Sequence, residues 1–167
     1  CAMDKAKKYT DTPVKVLASG QASDTLALAH RKNICEFKAT SIAASKAFKQ
    51  AKLTPSDVQI AEVHDNFTIS EILAIEDLGF FPKGEGGKAT ENGETEIGSK
   101  LAVNTSGGLK ARGDPMGATG IAQIVELVTQ LRGEAGKRQV PDAKVGLAQN
   151  VGGTGATAVV NILERVN

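Results

Sequence analysis

An alternation of segment types constrains this chain most. Apolar, strand-like runs and amphipathic, helix-like runs follow each other, and the strand-like runs end in polar or glycine-rich tips. "PVKVLASG" (13–20) reads as a buried strand that stops at Gly20. "SIAASKAFKQAK" (41–52) sets Ile42, Ala43, Ala47, Phe48 and Ala51 on one side of a helix. After the turn "LTPSDV" (53–58), marked by Pro55 and Asp57, "VQIAEVHD" (58–65) is the next strand. "FTISEILAIEDLGF" (67–80) reads as a helix with Ile69, Ile72, Leu73 and Ile75 on its apolar side. Thr68 and Glu71 are expected to form its capping box, and Gly79 its stop. "LAVNTS" (101–106) is a short strand, and "IAQIVELVTQLRGEAG" (121–136) a helix with Ile121, Ile124, Val125, Val128 and Leu131 on its apolar side. "KVGLAQN" (144–150) and "ATAVVNILER" (156–165) are two strands, joined by so short a link that they should pair antiparallel.

The order strand, helix, strand, helix, strand, helix, strand, strand predicts an α/β fold. Its sheet is five-stranded, mixed and mostly parallel, with one antiparallel member and helices on its faces. The 167 residues suit one domain, 1–167, large enough for a core of its own. "PKGEGGKATENGETEIGSK" (82–100) is expected to be a surface loop. In open α/β sheets ligands sit at the carboxyl ends of strands. That rule selects three tips: "HDNF" after the second strand, "NTSGG" after the third and "QNVGGTG" after the fourth.

Several classes of function fit poorly. A net charge of +1 gives no field that would draw nucleic acid or an anionic membrane. Aromatic residues are scarce, with no Trp and one Tyr, which argues against stacking platforms for bases. The apolar runs are too short to span a bilayer, and no stretch has the order of a signal peptide, so the expected location is the cytoplasm. Cys1 and Cys35 make no metal-ligand pattern, no metal site is expected, and a disulfide between them is not favoured in that setting. His30 reads as a surface residue beside a basic pair. Cys1-Ala2 precedes Met3, so the chain reads as a fragment of a longer protein or as carrying a tag remnant.

The stretch "NTSGGLKARGDPMGATG" (104–120) holds five glycines and one proline in seventeen positions, directly before a helix. Three readings are open: a tight packing loop, a phosphate cradle at a helix N-terminus, or a catalytic loop whose backbone passes close to a substrate. "GDPMGATG" lacks the Lys-Ser/Thr of a P-loop and the spacing of a dinucleotide fingerprint, which weakens the second. His64 taken alone is better explained by an ordinary hydrogen-bonded core histidine. Asp65 reads either as an acceptor at a helix end or as the group that fixes the imidazole tautomer.

The three tips together resemble the C-terminal half of a thiolase, closest to the branch of sterol-carrier-type and archaeal acetyl-CoA acetyltransferases. "EVHDNFTISEILAIEDLGF" resembles that branch's "HDCF" segment, "NTSGGLKARGDPMGATG" the run that ends in "GHPxGATG", and "NVGGTGATAVVNIL" the last motif, "CxGGGxG" in most thiolases and with Asn in the Cys place in this branch. The similarity runs from Pro13 onward with the motifs in order.

The resemblance implies a partner half that carries a nucleophilic cysteine and a homo-oligomer in the full-length protein. It implies acyl-CoA as substrate and no further cofactor, the coenzyme A thioester itself being the reactant. The family's C-terminal half supplies a histidine in "GHP" that activates the nucleophile and helps bind the thioester oxygen, an Asn or His in the "NEAF" or "HDCF" segment, and a cysteine that takes the α-proton.

Carried over position by position, His64 stands first in the "HD" motif, Asn66 in the place of the branch's cysteine, Asp114 in the place of the "GHP" histidine, and Asn150 in the other cysteine position. These four are the candidate catalytic residues. Asn104, Gly107, Gly108, Gly152 and Gly153 are the candidate substrate-binding ones. The departures have chemical consequences. Asn has no titratable group, so neither Asn66 nor Asn150 can take the α-proton. A carboxylate at Asp114 raises the pKa of a nearby thiol and cannot donate to an oxyanion.

These observations leave four functions. One is an acyltransferase half of acetyl-CoA acetyltransferase type, inactive by itself. Another is a non-catalytic module that binds a CoA thioester or serves assembly. A third is a nucleotide-binding domain, disfavoured by the missing phosphate spacings. The fourth is a different reaction in the same cleft, such as carbon–carbon cleavage of a CoA thioester with a base from a partner.

Overall fold

The computed structural model describes residues 1–166. In chain order the elements are α1 (Met3–Ala6), β1 (Val14–Ser23), α2 (Lys38–Ala51), β2 (Ile60–Glu62), α3 (Thr68–Asp77), α4 (Gly86–Glu91), β3 (Ala102–Val103), α5 (Gly108–Arg112), α6 (Thr119–Arg132), β4 (Val145–Gly152) and β5 (Thr157–Arg165). The strands form one sheet in the order β1-β5-β4-β2-β3. β2 pairs parallel with β3 and β4, whereas β5 pairs antiparallel with both β4 and β1. Four strands therefore run one way and β5 alone runs the other, as the alternation predicts. No helix among the described residues is long and apolar enough to cross a membrane.

Adjacent strand residues face opposite sides, so each strand feeds two cores. Ala61, Leu147, Val160 and Ile162 join Ala43, Ala47 and Phe48 of α2 and Ala74 and Leu78 of α3 on one face. Ile60, Ala148 and Leu163 meet Leu127 and Leu131 of α6 on the other. Two glycines set how closely the helices approach. A Cβ on Gly20 would lie 2.1 Å from the Ala43 carbonyl oxygen, so β1 runs through Gly20 to Ser23 with α2 lying directly on it. The predicted stop at Gly20 is thus a point of close packing inside the strand. A Cβ on Gly146 would meet Leu127 Cδ2 at 3.0 Å, which seats α6 against β4.

Other expectations are corrected. α2 begins at Lys38, and the third strand shrinks to Ala102–Val103. The capping box at α3 does not form. Thr68 is the first helical residue, the cap position is Phe67, and Glu71 instead accepts from Asn104 Nδ2 at 2.6 Å. Ile69 is consequently exposed. The 82–100 segment is mostly exposed, but it is not simply a loop: it contains α4, buries Gly86, Ala89 and Thr95, and is tied down by Glu76, which accepts from the Gly86 N–H at 2.9 Å.

Candidate functional site

The pairing of β2 with β4 sets the site. Glu62 lies opposite Ala148, and two residues further along each strand His64 comes beside Asn150. Asn150 Nδ2 is 3.2 Å from His64 Nδ1. The His64 main-chain N–H donates to Gln149 Oε1 at 3.0 Å, which anchors the β2 tip to β4. On its other side His64 Nε2 is 3.5 Å from Asp114 Oδ2, a contact longer than a well-formed hydrogen bond. Asp114 in turn accepts from Thr119 Oγ1 at 2.7 Å, so the carboxylate is held against the first residue of α6. His64, Asn66, Asp114 and Asn150 all line one cavity of about 650 Å³ at the carboxyl ends of the strands, together with Gly152 and Gly153.

Burial holds the His64 imidazole below its ordinary pKa; Asp114 and Asp65 pull the other way, and the Arg112 guanidinium reinforces the burial. The ring is therefore neutral at physiological pH, with one donor and one acceptor. Asp114 as a carboxylate accepts only, and its side chain is 39% exposed. Asn66 is exposed at the cavity. Of the four candidate catalytic residues only His64 and Asp114 can move a proton, while both asparagines can only position one.

The other predicted site residues have a different place. Asn104, Gly107 and Gly108 are not among the residues lining the cavity. Asn104, at a positive φ of 50°, clamps the β3 tip: its Oδ1 accepts from the Val63 N–H at 2.8 Å and its Nδ2 donates to Glu71. Asp65 does not fix the imidazole tautomer. Its Oδ1 accepts from the Leu109 N–H at 2.9 Å, at the start of α5. A Cβ on Gly108 would fall 2.0 Å from Asp65 Oδ2, at a φ of +64° that favours glycine. The glycine stretch is therefore partly helical, through α5, and its first two glycines serve the turn that starts that helix.

Behind this wall lies a polar network that sequence reasoning missed. Glu62 is fully buried on β2; it accepts from Ser106 Oγ at 2.6 Å and from the Ser106 N–H at 3.1 Å, and pairs with Arg112 at 3.2 Å. Burial pushes its pKa up, against the hydrogen bonds from Ser106 and the charge of Arg112. Thr105 Oγ1 links Glu62 to Glu126, and Arg138 pairs with Glu126 at 2.9 Å. Burial works to raise Glu126, but the bonds from Arg138, Gln130 and Thr105 leave it lowered.

The reason these were missed is a phase ambiguity in α6. Ile121, Ile124, Val125 and Val128 make a valid helical stripe, but the helix turns Gln123, Glu126, Leu127, Gln130 and Leu131 inward and leaves Ile121 and Val125 exposed. The spacing 123, 126, 127, 130, 131 was the available signal, and its polar members made it look like the solvent side.

Residues 20–165 match the family described as "Thiolase C-terminal domain-like". The chain is 61% identical to an acetyl-CoA acetyltransferase of Methanothermobacter thermautotrophicus over 165 residues, 99% of this chain and 43% of that protein. It is 43% identical to the acetyl-CoA acetyltransferase of Methanocaldococcus jannaschii, over 98% of this chain and 43% of that protein. It is 44% identical to sterol carrier protein 2 of Bos taurus, over 87% of this chain and 27% of that protein. Among solved structures, the "Ltp2-ChsH2(DUF35) aldolase" superposes with a TM-score of 0.85 at 26% identity, covering 97% of this chain and 42% of that one. The chain thus spans less than half the length of these relatives. With the motifs in order, the sheet as described and these matches, the chain belongs to the thiolase family and corresponds to its C-terminal domain.

Proposed function

We propose that the chain is the C-terminal half of a thiolase-like acyltransferase of acetyl-CoA acetyltransferase type, and that the strand-tip cavity receives a CoA thioester. The observation that carries this reading is the convergence of His64, Asn66, Asp114 and Asn150, from three separate tips, on a single cavity. In this reading the neutral His64 presents a donor to the thioester oxygen, and the two asparagines orient the acyl group. The nucleophile comes from an N-terminal half, and the full-length protein is a homo-oligomer. By itself the chain does not turn over, because no nucleophilic cysteine faces the cavity and neither asparagine takes the α-proton. The purified chain is assayed for thiolysis of acetoacetyl-CoA, alone and combined with a nucleophile-bearing half. Clear thiolysis by the chain alone contradicts the reading.

A second reading is a non-catalytic module that binds a CoA thioester or serves assembly. It is favoured by Asp114, which as a carboxylate opposes ionisation of a facing thiol. Binding of acetyl-CoA without acylation or thiolysis in the combined assay selects it. The aldolase named among the structural neighbours makes cleavage of a β-hydroxyacyl-CoA worth measuring in the same assay.

A further inference from the structure

Gln123 takes no part in the family motifs, yet its side chain is fully buried beside the cavity. Its Nε2 donates to the Gln149 main-chain carbonyl at 2.9 Å. A carbonyl only accepts, so this bond fixes which end of the Gln123 amide faces inward, and Oε1 is left facing Asn150. Oε1 also only accepts, and Asn150 Nδ2 lies 3.3 Å from it. The same Nδ2 faces His64 Nδ1 at 3.2 Å. An amide NH2 donates and does not accept, so Nδ1 presents its lone pair and the ring proton sits on Nε2, toward Asp114.

We propose that Gln123 is a positioning residue that keeps His64 neutral, with its proton on Nε2, by locking the amide of Asn150. An imidazolium carries a proton on both nitrogens, and its Nδ1–H would point into the NH2 of Asn150. For the ring to be protonated, the Asn150 amide must turn over, which sets its oxygen against Gln123 Oε1. The charged groups around the ring are Asp114 before α6, Asp65 next in the chain and Arg112 on α5. The two carboxylates favour the imidazolium and the guanidinium opposes it; the lock acts in the same direction as Arg112 and burial. Its meaning for catalysis rests on the cleft proposed above, but its test needs no substrate, so the two readings fail separately.

The test is an NMR titration of the chain labelled with ¹⁵N in its histidines. There are only two, and the exposed His30 is an internal reference. In the unsubstituted chain His64 titrates below the ordinary imidazole range and carries its proton on Nε2. Gln123→Leu removes the lock at nearly constant volume, and Asn150 is then free to turn its oxygen to Nδ1. The expected result is a rise in the His64 pKa of about one unit, a tenfold gain in proton affinity, with His30 unmoved. A purely structural role predicts the opposite sign, because an aliphatic side chain deepens burial and pushes the imidazole further down. Gln123→Met is the second variant should the leucine variant fail to fold, and Asn150→Asp, which sets an acceptor against Nδ1, raises the His64 pKa whichever is used. An unchanged or lowered His64 pKa in a folded Gln123 variant overturns the proposal. So does an Nδ1–H ring in the unsubstituted chain, or an Asn150→Asp variant whose His64 titrates as before.

Discussion

His64 and Asn150 stand side by side at the ends of two parallel strands, imidazole Nδ1 3.2 Å from amide Nδ2, because Glu62 pairs with Ala148 two residues earlier. The contact places an amide, a group with no titratable proton, directly beside the imidazole at the strand tips. A slip of one residue between β2 and β4 would put His64 and Asn150 on opposite faces of the sheet, so the site depends on the register as much as on the residues.

Asn104 holds three elements together through Val63 and Glu71. Asn104→Ala removes both bonds and leaves a positive φ that alanine tolerates poorly. The expected loss is about 1–3 kcal/mol of stability, read from the urea midpoint. Unchanged stability combined with weakened acyl-CoA binding would return Asn104 to the role of a substrate ligand.

Gly108 admits no side chain. A Cβ there meets Asp65 Oδ2, and the backbone lies at a φ of +64°. Gly108→Ala is expected to cost about 1–3 kcal/mol and to free the start of α5, seen as faster amide exchange at Leu109. A variant as stable and as protected as the unsubstituted chain rules this packing out.

One buried and one half-buried carboxylate give the chain a pH signature. Burial raises Glu62, and burial raises Glu71 against the bond from Asn104. A carboxyl whose pKa is higher folded than unfolded binds more protons in the folded state, so stability falls as pH rises through the folded value. Urea midpoints should therefore decline as the pH rises above the ordinary glutamate range, because both groups are raised in the folded chain. Glu71→Gln keeps an acceptor for Asn104 and removes one titrating group, so its decline is shallower. An equally steep decline in the variant assigns the effect elsewhere.

The strand and helix order, the pairing of the last two strands and the meeting of the tips were legible because period and turn chemistry are local signals. The tips converge at a cavity that Asn66, Asp114 and Gly153 all line. What was illegible depended on tertiary contacts. Gly20 looked like a terminator because nothing local says that α2 lies on it. Glu71 looked like a cap partner because its true partner, Asn104, is 33 residues away. The phase of α6 was decided by Thr105, Arg138 and Gln149 receiving its polar side chains, which no helical period records.

The outward face of α6 leads to another prediction. Ile121 and Val125 are 67% and 58% exposed, and beside them Nε and Nη2 of Arg112 are buried without a partner. Unpaired buried donors are rare in a finished fold. This face is expected to pack against the N-terminal half proposed above. The chain alone should bind a hydrophobic dye, and an Ile121→Lys, Val125→Glu variant should lose most of that signal without losing stability. A monodisperse monomer that binds no dye contradicts it.

In the function proposed above, the cavity is a thiolase-type thioester site in which Asp114 stands in the place of a histidine. The most direct measurement follows acylation of the cysteine of a nucleophile-bearing half by acetyl-CoA, by mass, with this chain present as its complement. Asp114→His restores a donor to the thioester oxygen, and such donors are worth about 2.7–4 kcal/mol at a transition state, roughly a hundredfold or more in rate. Acylation is expected to be faster with the Asp114→His chain, with turnover to product only when Asn66→Cys is added to supply a proton acceptor. Acylation as fast or faster with the unsubstituted chain would contradict it, and would give the Asp114 carboxylate a catalytic role of its own.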